Sequence, residues 1–288
     1  MNTGLLYITT ALFWGLTWLA MKFQLGQVAP EWSVVYRFLL AAALFFIYAW
    51  WRKLNLRYSL QAHGLMALQG ILMFAFNYIL LYFAGFSLTS GLVALLFSTV
   101  VLFNVLFGTL ILRNPLQPRV LLGALLGLGG LALIFAPEVQ GVNFGGAQLS
   151  GILLTLGGAA SVSLGQMTAV RNQRHQIPVV QLNAYSMLYG ALFCALVALL
   201  RGVPPTLESD PRYVLSLLYL AVFGSVFAFW MYLTLLQRLG PDRAGYVTVL
   251  VPLVALVVSV FYEGLELGAL QLGGVGLVLL GNALAQRK

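Results

Sequence analysis

The side chains best suited to binding are polar or aromatic groups lying inside long apolar runs. Tyr78 and Tyr82 sit one helical turn apart with Asn77 beside them, Ser98, Thr99 and Asn104 fall in the next run, and Trp14 and Trp18 are one turn apart in the first. Trp230 lies further along, and Tyr246 with Thr248 opens a later run. A polar group in hydrocarbon is costly unless it faces a neighbouring helix or water. These residues therefore predict one of two things. One is a cavity lined by rings and hydroxyls, taking a small amphipathic solute. The other is a set of hydrogen bonds between helices, with Trp and Tyr marking the headgroup belts. The belt reading fits Trp50, Trp51 and Tyr58, which border a basic edge, but a belt does not explain the mid-run depth of Tyr78.

Charged groups are sparser. Lys22, Glu31, Arg37 and Glu263 fall towards one side in the topology given below. They predict an outer network of ion pairs, with Lys22, Arg37 and Glu263 as its gating members; snorkelling to the headgroups is the alternative for Lys22. A cavity without an acid–base pair suits a neutral or zwitterionic solute, since a phosphorylated one needs Arg or Lys to pair with it. The sequence has no HExxH, no GxxxxGK[ST], no GxSxG and no Cys or His cluster. No catalytic residue, metal ligand or cofactor is expected. His63 and His175 fall at helix ends, where solvated side chains are expected.

Such residues need elements long enough to carry them through a bilayer. Of 288 residues, 61% are hydrophobic and 8% charged, whereas a soluble domain carries about 25% charged residues. A helix rises 1.5 Å per residue, so about 20 apolar residues cross the roughly 30 Å hydrocarbon core. Breaking the chain at its charged, Pro-containing and Asn-rich stretches predicts an all-α integral membrane protein of ten transmembrane helices. They lie at about 4–23, 32–51, 63–83, 87–111, 119–136, 149–169, 179–200, 212–236, 243–262 and 267–285. With the N-terminus inside, the inner loops hold Arg52, Lys53, Arg57, Arg113, Arg119, Arg171, Arg174, Arg238, Arg243, Arg287 and Lys288, which is 11 of the 15 basic residues. That asymmetry predicts that both termini are cytoplasmic. It also explains the net charge of +8 without a nucleic-acid partner, for which no basic stripe exists. Of the seven acids only Asp242 falls inside. The single Cys194 excludes an internal disulfide, and the first run, with no cationic start or small-residue cleavage pattern, reads as a retained span and not a signal peptide.

An internal repeat organises these helices. Arg113–Gly123 (RNPLQPRVLLG) matches Glu263–Gly273 (EGLELGALQLG) at an offset of 150, Ser90–Val93 resembles Ala244–Val247 at 154, and Pro30 and Pro178 lie 148 apart. The halves are residues 1–143 and 144–288, five helices each. An odd number makes the second half enter from the opposite side, an inverted repeat of the kind found in secondary transporters.

The segment Phe13-Trp14-Gly15-Leu16-Thr17-Trp18, then Lys22, Pro30 and Arg37-Phe38-Leu39-Leu40-Ala41, resembles the first two helices of the drug/metabolite transporter superfamily, EamA type. Ala244–Gly281, with Pro252, Glu263 and Gly273, is similar to that family's closing repeat. One departure is Arg113-Asn114, where the family's first repeat commonly carries a Glu. Among its members the chain looks most like the bacterial aromatic amino-acid exporters. The resemblance implies a five-plus-five inverted repeat and alternating-access export of small organic solutes, most of all amino acids, through a cavity at the repeat interface. A passive facilitator with the same spans, and an integral membrane enzyme acting on lipid, stay open as alternatives. With no central carboxylate in the spans, movement is expected to be gradient-driven and uncoupled. The partners are the solute and the bilayer; the sequence sets no oligomeric state, and a monomer is compatible with it.

Overall fold

A computed structural model describes residues 2–24, 26, 28–140, 146–263 and 268–286. Helix occupies each of the ten predicted stretches: α1 (Thr3–Lys22), α2 (Pro30–Trp51), α3 (Leu60–Ala84), α4 (Ser90–Phe97 and Val100–Leu110), α5 (Pro118–Ile134), α6 (Gly146–Arg174), α7 (Val179–Leu200), α8 (Pro211–Leu239), α9 (Val247–Glu263, preceded by one turn at Pro241–Ala244) and α10 (Ala269–Gln286). Among the described residues there is no strand. Six of the helical stretches (α2, α3, Leu92–Leu110 of α4, α6, α7 and α8) are long and apolar enough to cross a membrane. Thr3–Thr17, Pro118–Ile134 and Ala269–Ala285 are apolar but shorter.

The sequence fixes where these helices begin. Side chains of Asn2, Ser59, Thr89 and Asp210 accept the first free backbone N–H groups of α1, α3, α4 and α8, and Pro starts α2, α5 and α8 where no donor is needed. The two halves also stop helices alike. After α2 the Leu54 N–H donates to the Ala49 carbonyl at 2.8 Å, and after α7 the Val203 N–H donates to Ala198 at 2.9 Å. Each bond closes over a left-handed residue, Lys53 in one case and Gly202 in the other.

Two helices widen in their middles, α3 at Ile71–Phe76 and α8 at Val222–Phe227, so the wide turns begin 151 positions apart. Such turns free backbone carbonyls for other donors. Two further helices are interrupted, α4 at Ser98–Thr99 and the start of α9 at Gly245–Tyr246. Across the halves α2 packs along α7 and α5 along α10, while α1 contacts α8 and α9 as α6 contacts α3 and α4. Leucines at positions such as 12, 122, 153, 196 and 280 face outwards, as a lipid-facing surface requires.

Candidate functional site

The interface between α1, α2, α3 and α8 carries a continuous row of rings. Trp14 lies edge-on to Phe229 at 5.1 Å and tilted to Tyr232 at 4.9 Å. Phe229 meets Phe74 at 4.8 Å, Phe74 meets Phe38 at 5.1 Å, and Phe38 meets Tyr78 at 5.2 Å. Edge-to-face and tilted contacts at these distances are the favourable ones for ring quadrupoles. Arg37 caps the row, its guanidinium carbon 5.1 Å from the centre of the Tyr78 ring, and Tyr232 ends it beside the Asn104 amide. Helices from both halves contribute.

The widened turn of α8 is held by donors from the first half. Arg37 Nε donates to Ser225 Oγ at 2.8 Å, and the Ser225 hydroxyl donates on to the Leu220 carbonyl at 2.9 Å. The Gly224 carbonyl accepts from both Trp14 Nε1, at 3.2 Å, and Arg37 Nη2, at 3.3 Å. The widened turn of α3 is held in the corresponding way by α6, whose Ser161 hydroxyl donates to the Leu72 carbonyl at 2.8 Å. Asn77, just beyond that turn, gives its amide N–H to Met73 and leaves Oδ1 buried without a partner.

Of the residues singled out in the sequence, Trp14, Tyr78 and Arg37 are thus brought together, with Asn77 on the adjacent turn. Tyr82 lines a cleft with Pro30, Glu31, Val34, Ile79 and Phe83. The hydroxyls behave as helix-to-carbonyl bonds: Ser98 to Ala94 and, at 3.4 Å, to Thr248; Thr99 to Leu96; Thr248 to Gly245; and Tyr246 to Val120 across α9 and α5. Trp230 is half-buried and, among the described residues, joins no ring pair. The side chains of Trp18, Lys22 and Glu263 lie outside the described residues. Arg37 bonds neutral groups, and among the described residues the ion pair at this end is Glu31 with Arg201, whose guanidinium also lies 4.7 Å over Phe83. Trp32, Ser33 and Tyr36 add hydrogen bonds from α2 to Val203, Tyr213 and Thr206, which tie α2 to the α7–α8 connector and to the first turn of α8.

The opposite end holds a cavity of about 230 Å³ between Asn114, Val170, Gln173, Arg174, Leu236, Gln237, Gly240 and Pro241. Beside it Asn104 joins three elements: Nδ2 donates to the Pro241 carbonyl at 3.1 Å, and Oδ1 accepts from Ser163 at 2.6 Å. His63, expected to be solvated, is half-buried instead, bonded to the Tyr189 hydroxyl at 2.8 Å and edge-on to Tyr185. Ser163 and Tyr232 were not among the sequence candidates. Each had a signal, being a polar group deep in an apolar run like Tyr78.

Asp242, in the turn before α9, is 9% exposed and keeps Oδ1 without a hydrogen-bond partner. Burial pushes its carboxyl up to about 6, against the opposing pull of Arg243. The folded value thus exceeds the unfolded one of about 3.9. The neutral acid is therefore favoured in the fold. That stabilisation is complete below about pH 4 and is lost as pH rises through about 6. The detergent-solubilised protein is expected to melt higher at pH 5 than at pH 8 by a margin that Asp242→Asn removes. Between pH 5 and pH 8 the difference is at most about 1.4 kcal/mol, since pH 5 lies one unit below the folded value, and it is reduced wherever water reaches the carboxylate. Equal pH slopes in the two proteins would show that Asp242 is solvated.

Comparison with known proteins bears on this arrangement. The model of the EamA-like transporter family matches residues 2–136 and 149–286. A probable amino-acid metabolite efflux pump of Salmonella typhimurium is 28% identical over 287 residues, with 96% of this chain and 92% of that protein covered. A protein of the same description from Escherichia coli is 26% identical, with 96% and 92% covered. A solved crystal structure with 20% identity superposes with a TM-score of 0.82 over 99% of this chain and 96% of the other, which shows a shared fold.

Proposed function

We propose that this chain, which belongs to the EamA-like transporter family, is an alternating-access exporter of small organic solutes, chiefly amino acids and above all aromatic ones. As a member of that family it is a multi-pass membrane transporter. The observation that carries the finer reading is the row of rings from Tyr232 through Trp14, Phe74 and Phe38 to Tyr78, built by both halves and capped by Arg37. An aromatic solute can stack on such rings once the helices part. The relatives named as probable amino-acid metabolite efflux pumps support the same class of cargo.

In this reading all ten helices cross a bacterial inner membrane, with both termini cytoplasmic. The repeats are residues 1–143 and 144–288, and they rock about the ring row. Trp14, Trp18, Asn77, Tyr78, Tyr82, Ser98, Thr99, Trp230, Tyr246 and Thr248 belong to the binding region or to the hydroxyl-bonded helices that frame it. The outer gate is formed by Lys22, Glu263 and the Glu31–Arg201 pair, with Arg37 beneath. The 230 Å³ cavity is the inner mouth. The interrupted helices α4 and α9 support the mechanism, since broken helices commonly form the solute site of secondary transporters.

Counterflow in proteoliposomes tests this. Labelled Trp, Phe or Tyr is expected to move saturably and to be accelerated by unlabelled solute on the far side, with a loss of about tenfold in Tyr78→Ala. Movement without trans-stimulation would indicate a facilitator. No movement of any amino acid would discard the cargo while leaving the transporter family untouched.

A further inference from the structure

Arg37 is a buried cation whose partners are neutral. It leaves α2 about two turns in from Pro30, roughly 10 Å along the helix, and is 4% exposed. Its acceptors are a hydroxyl and a backbone carbonyl, Ser225 at 2.8 Å and Gly224 at 3.3 Å. Of the five N–H donors of a guanidinium, those two bonds leave three with no acceptor among the described residues. Among the described residues no carboxylate pairs with Arg37, whereas the more exposed Arg201 does meet one in Glu31. A charge within a membrane protein is costly and is ordinarily paired. The missing anion is therefore the feature to explain.

The surroundings have the character of a recognition site for a carboxylate attached to an apolar body. Phe38 and Tyr78 lie 5.2 Å and 5.1 Å from the guanidinium carbon. Trp14 shares the Gly224 carbonyl with Arg37 and so lies next to the charge. Position 224 must be small: a Cβ there would fall 2.8 Å from the Thr17 methyl and 3.3 Å from Arg37 Nη2. Glycine thus leaves room for the planar head.

We propose that Arg37 binds the carboxylate of the solute and makes the carrier selective for carboxylate-bearing cargo. The inference rests on the exporter reading above and adds to it the group that recognises the cargo. With solute bound, two carboxylate oxygens engage the guanidinium side by side, the geometry for which its donors are arranged, and the solute's ring meets Tyr78, Phe38 and Trp14. With the site empty, Ser225 and Gly224 hold the guanidinium in their place, so the helices close without a wholly unbonded cation between them.

Isothermal titration of the purified carrier with L-tryptophan, indole-3-propionate and tryptamine tests this, because the three share an indole and differ in carboxylate and amine. Wild type is expected to bind both carboxylates at least about tenfold more tightly than tryptamine, and Arg37→Gln to bring the three within about threefold of one another. Arg37→Lys should retain an intermediate preference. The ratio within each variant is independent of how much of the preparation is folded. A preference that survives in Arg37→Gln would overturn the assignment, as would wild type binding tryptamine as tightly as tryptophan; either leaves the exporter reading in place if counterflow of amino acids is seen. Wild type binding none of the three, together with no amino-acid counterflow, would remove both.

Discussion

Leucine at Gly130 or Gly274 is expected to abolish the folded, monodisperse protein, while leucine at the adjoining Gly129 or Gly273 is expected to be tolerated. The difference lies in which way each Cα faces. A Cβ at Gly130 would lie 2.5 Å from the Gly274 carbonyl oxygen, and a Cβ at Gly274 would lie 2.5 Å from the Gly130 carbonyl oxygen. Gly123 and Gly281 repeat the same reciprocal approach at 2.5 Å further along, so α5 and α10 run antiparallel with backbone against backbone. No flexible side chain can yield there; the helices themselves must separate. Helices in lipid associate through such close packing and gain little from burying apolar surface, so separation forfeits most of what holds this pair. The cost is about 3 kcal/mol or more, towards the upper end for overpacking. Gly129 and Gly273 have nothing within 4 Å of an added Cβ and face outwards. Size-exclusion profiles and melting temperatures of fluorescently tagged variants read the contrast. Similar behaviour of Gly129→Leu and Gly130→Leu would mean that α5 and α10 do not meet along this seam.

That seam shows what a sequence can and cannot convey. Clusters of glycine in the fifth and tenth apolar runs announce close helix packing, but the runs alone do not say that Gly123 and Gly130 meet Gly281 and Gly274 while Gly129 and Gly273 face outwards. The existence of the helices was legible because apolar length and the capping residues act locally. Helix starts at Pro30, Pro118 and Pro211 fall within two residues of their expected places. The widened turns at Ile71–Phe76 and Val222–Phe227 were not legible, since no residue type encodes them; they persist because Arg37, Trp14 and Ser161 from other helices take up the freed carbonyls. For the site, depth in the run marked Tyr78, Trp14 and Arg37. Phe38, Phe74 and Phe229 were invisible, because a phenylalanine that completes a row of rings and one that faces lipid look alike in an apolar run. The same ambiguity concealed the fate of Thr99, Tyr246 and Thr248, whose hydroxyls satisfy carbonyls of their own or adjoining helices.

Asn104 carries the second large expected effect. It is fully buried, and its amide joins α4 to α6 and to the turn before α9 by accepting from Ser163 at 2.6 Å and donating to the Pro241 carbonyl at 3.1 Å. Gly245 makes this fit feasible, since a Cβ there would fall 2.5 Å from Asn104 Nδ2. Leucine has the same branching and number of heavy atoms, though its methyl groups are bulkier, and it strands a hydroxyl and a carbonyl in the interior, each at about 1–3 kcal/mol, so Asn104→Leu should destabilise by about 2–6 kcal/mol. Ser163→Ala removes one of the stranded partners. The penalty of Asn104→Leu should therefore shrink by about 1 kcal/mol or more in the Ser163→Ala background, a coupling that a thermal-denaturation double-mutant cycle reads directly. Asn104→Asp is expected to be worse than leucine. It keeps the acceptor for Ser163 but turns a carboxylate oxygen towards the Pro241 carbonyl, where the amide donated. Because this junction lies beside the cavity that Pro241 lines and includes the turn that leads into α9, loosening it should also weaken counterflow in whatever fraction folds. Additive effects of Asn104→Leu and Ser163→Ala would show that the two side chains do not share a bond, and would leave the joining of α4 to α6 to helix packing alone.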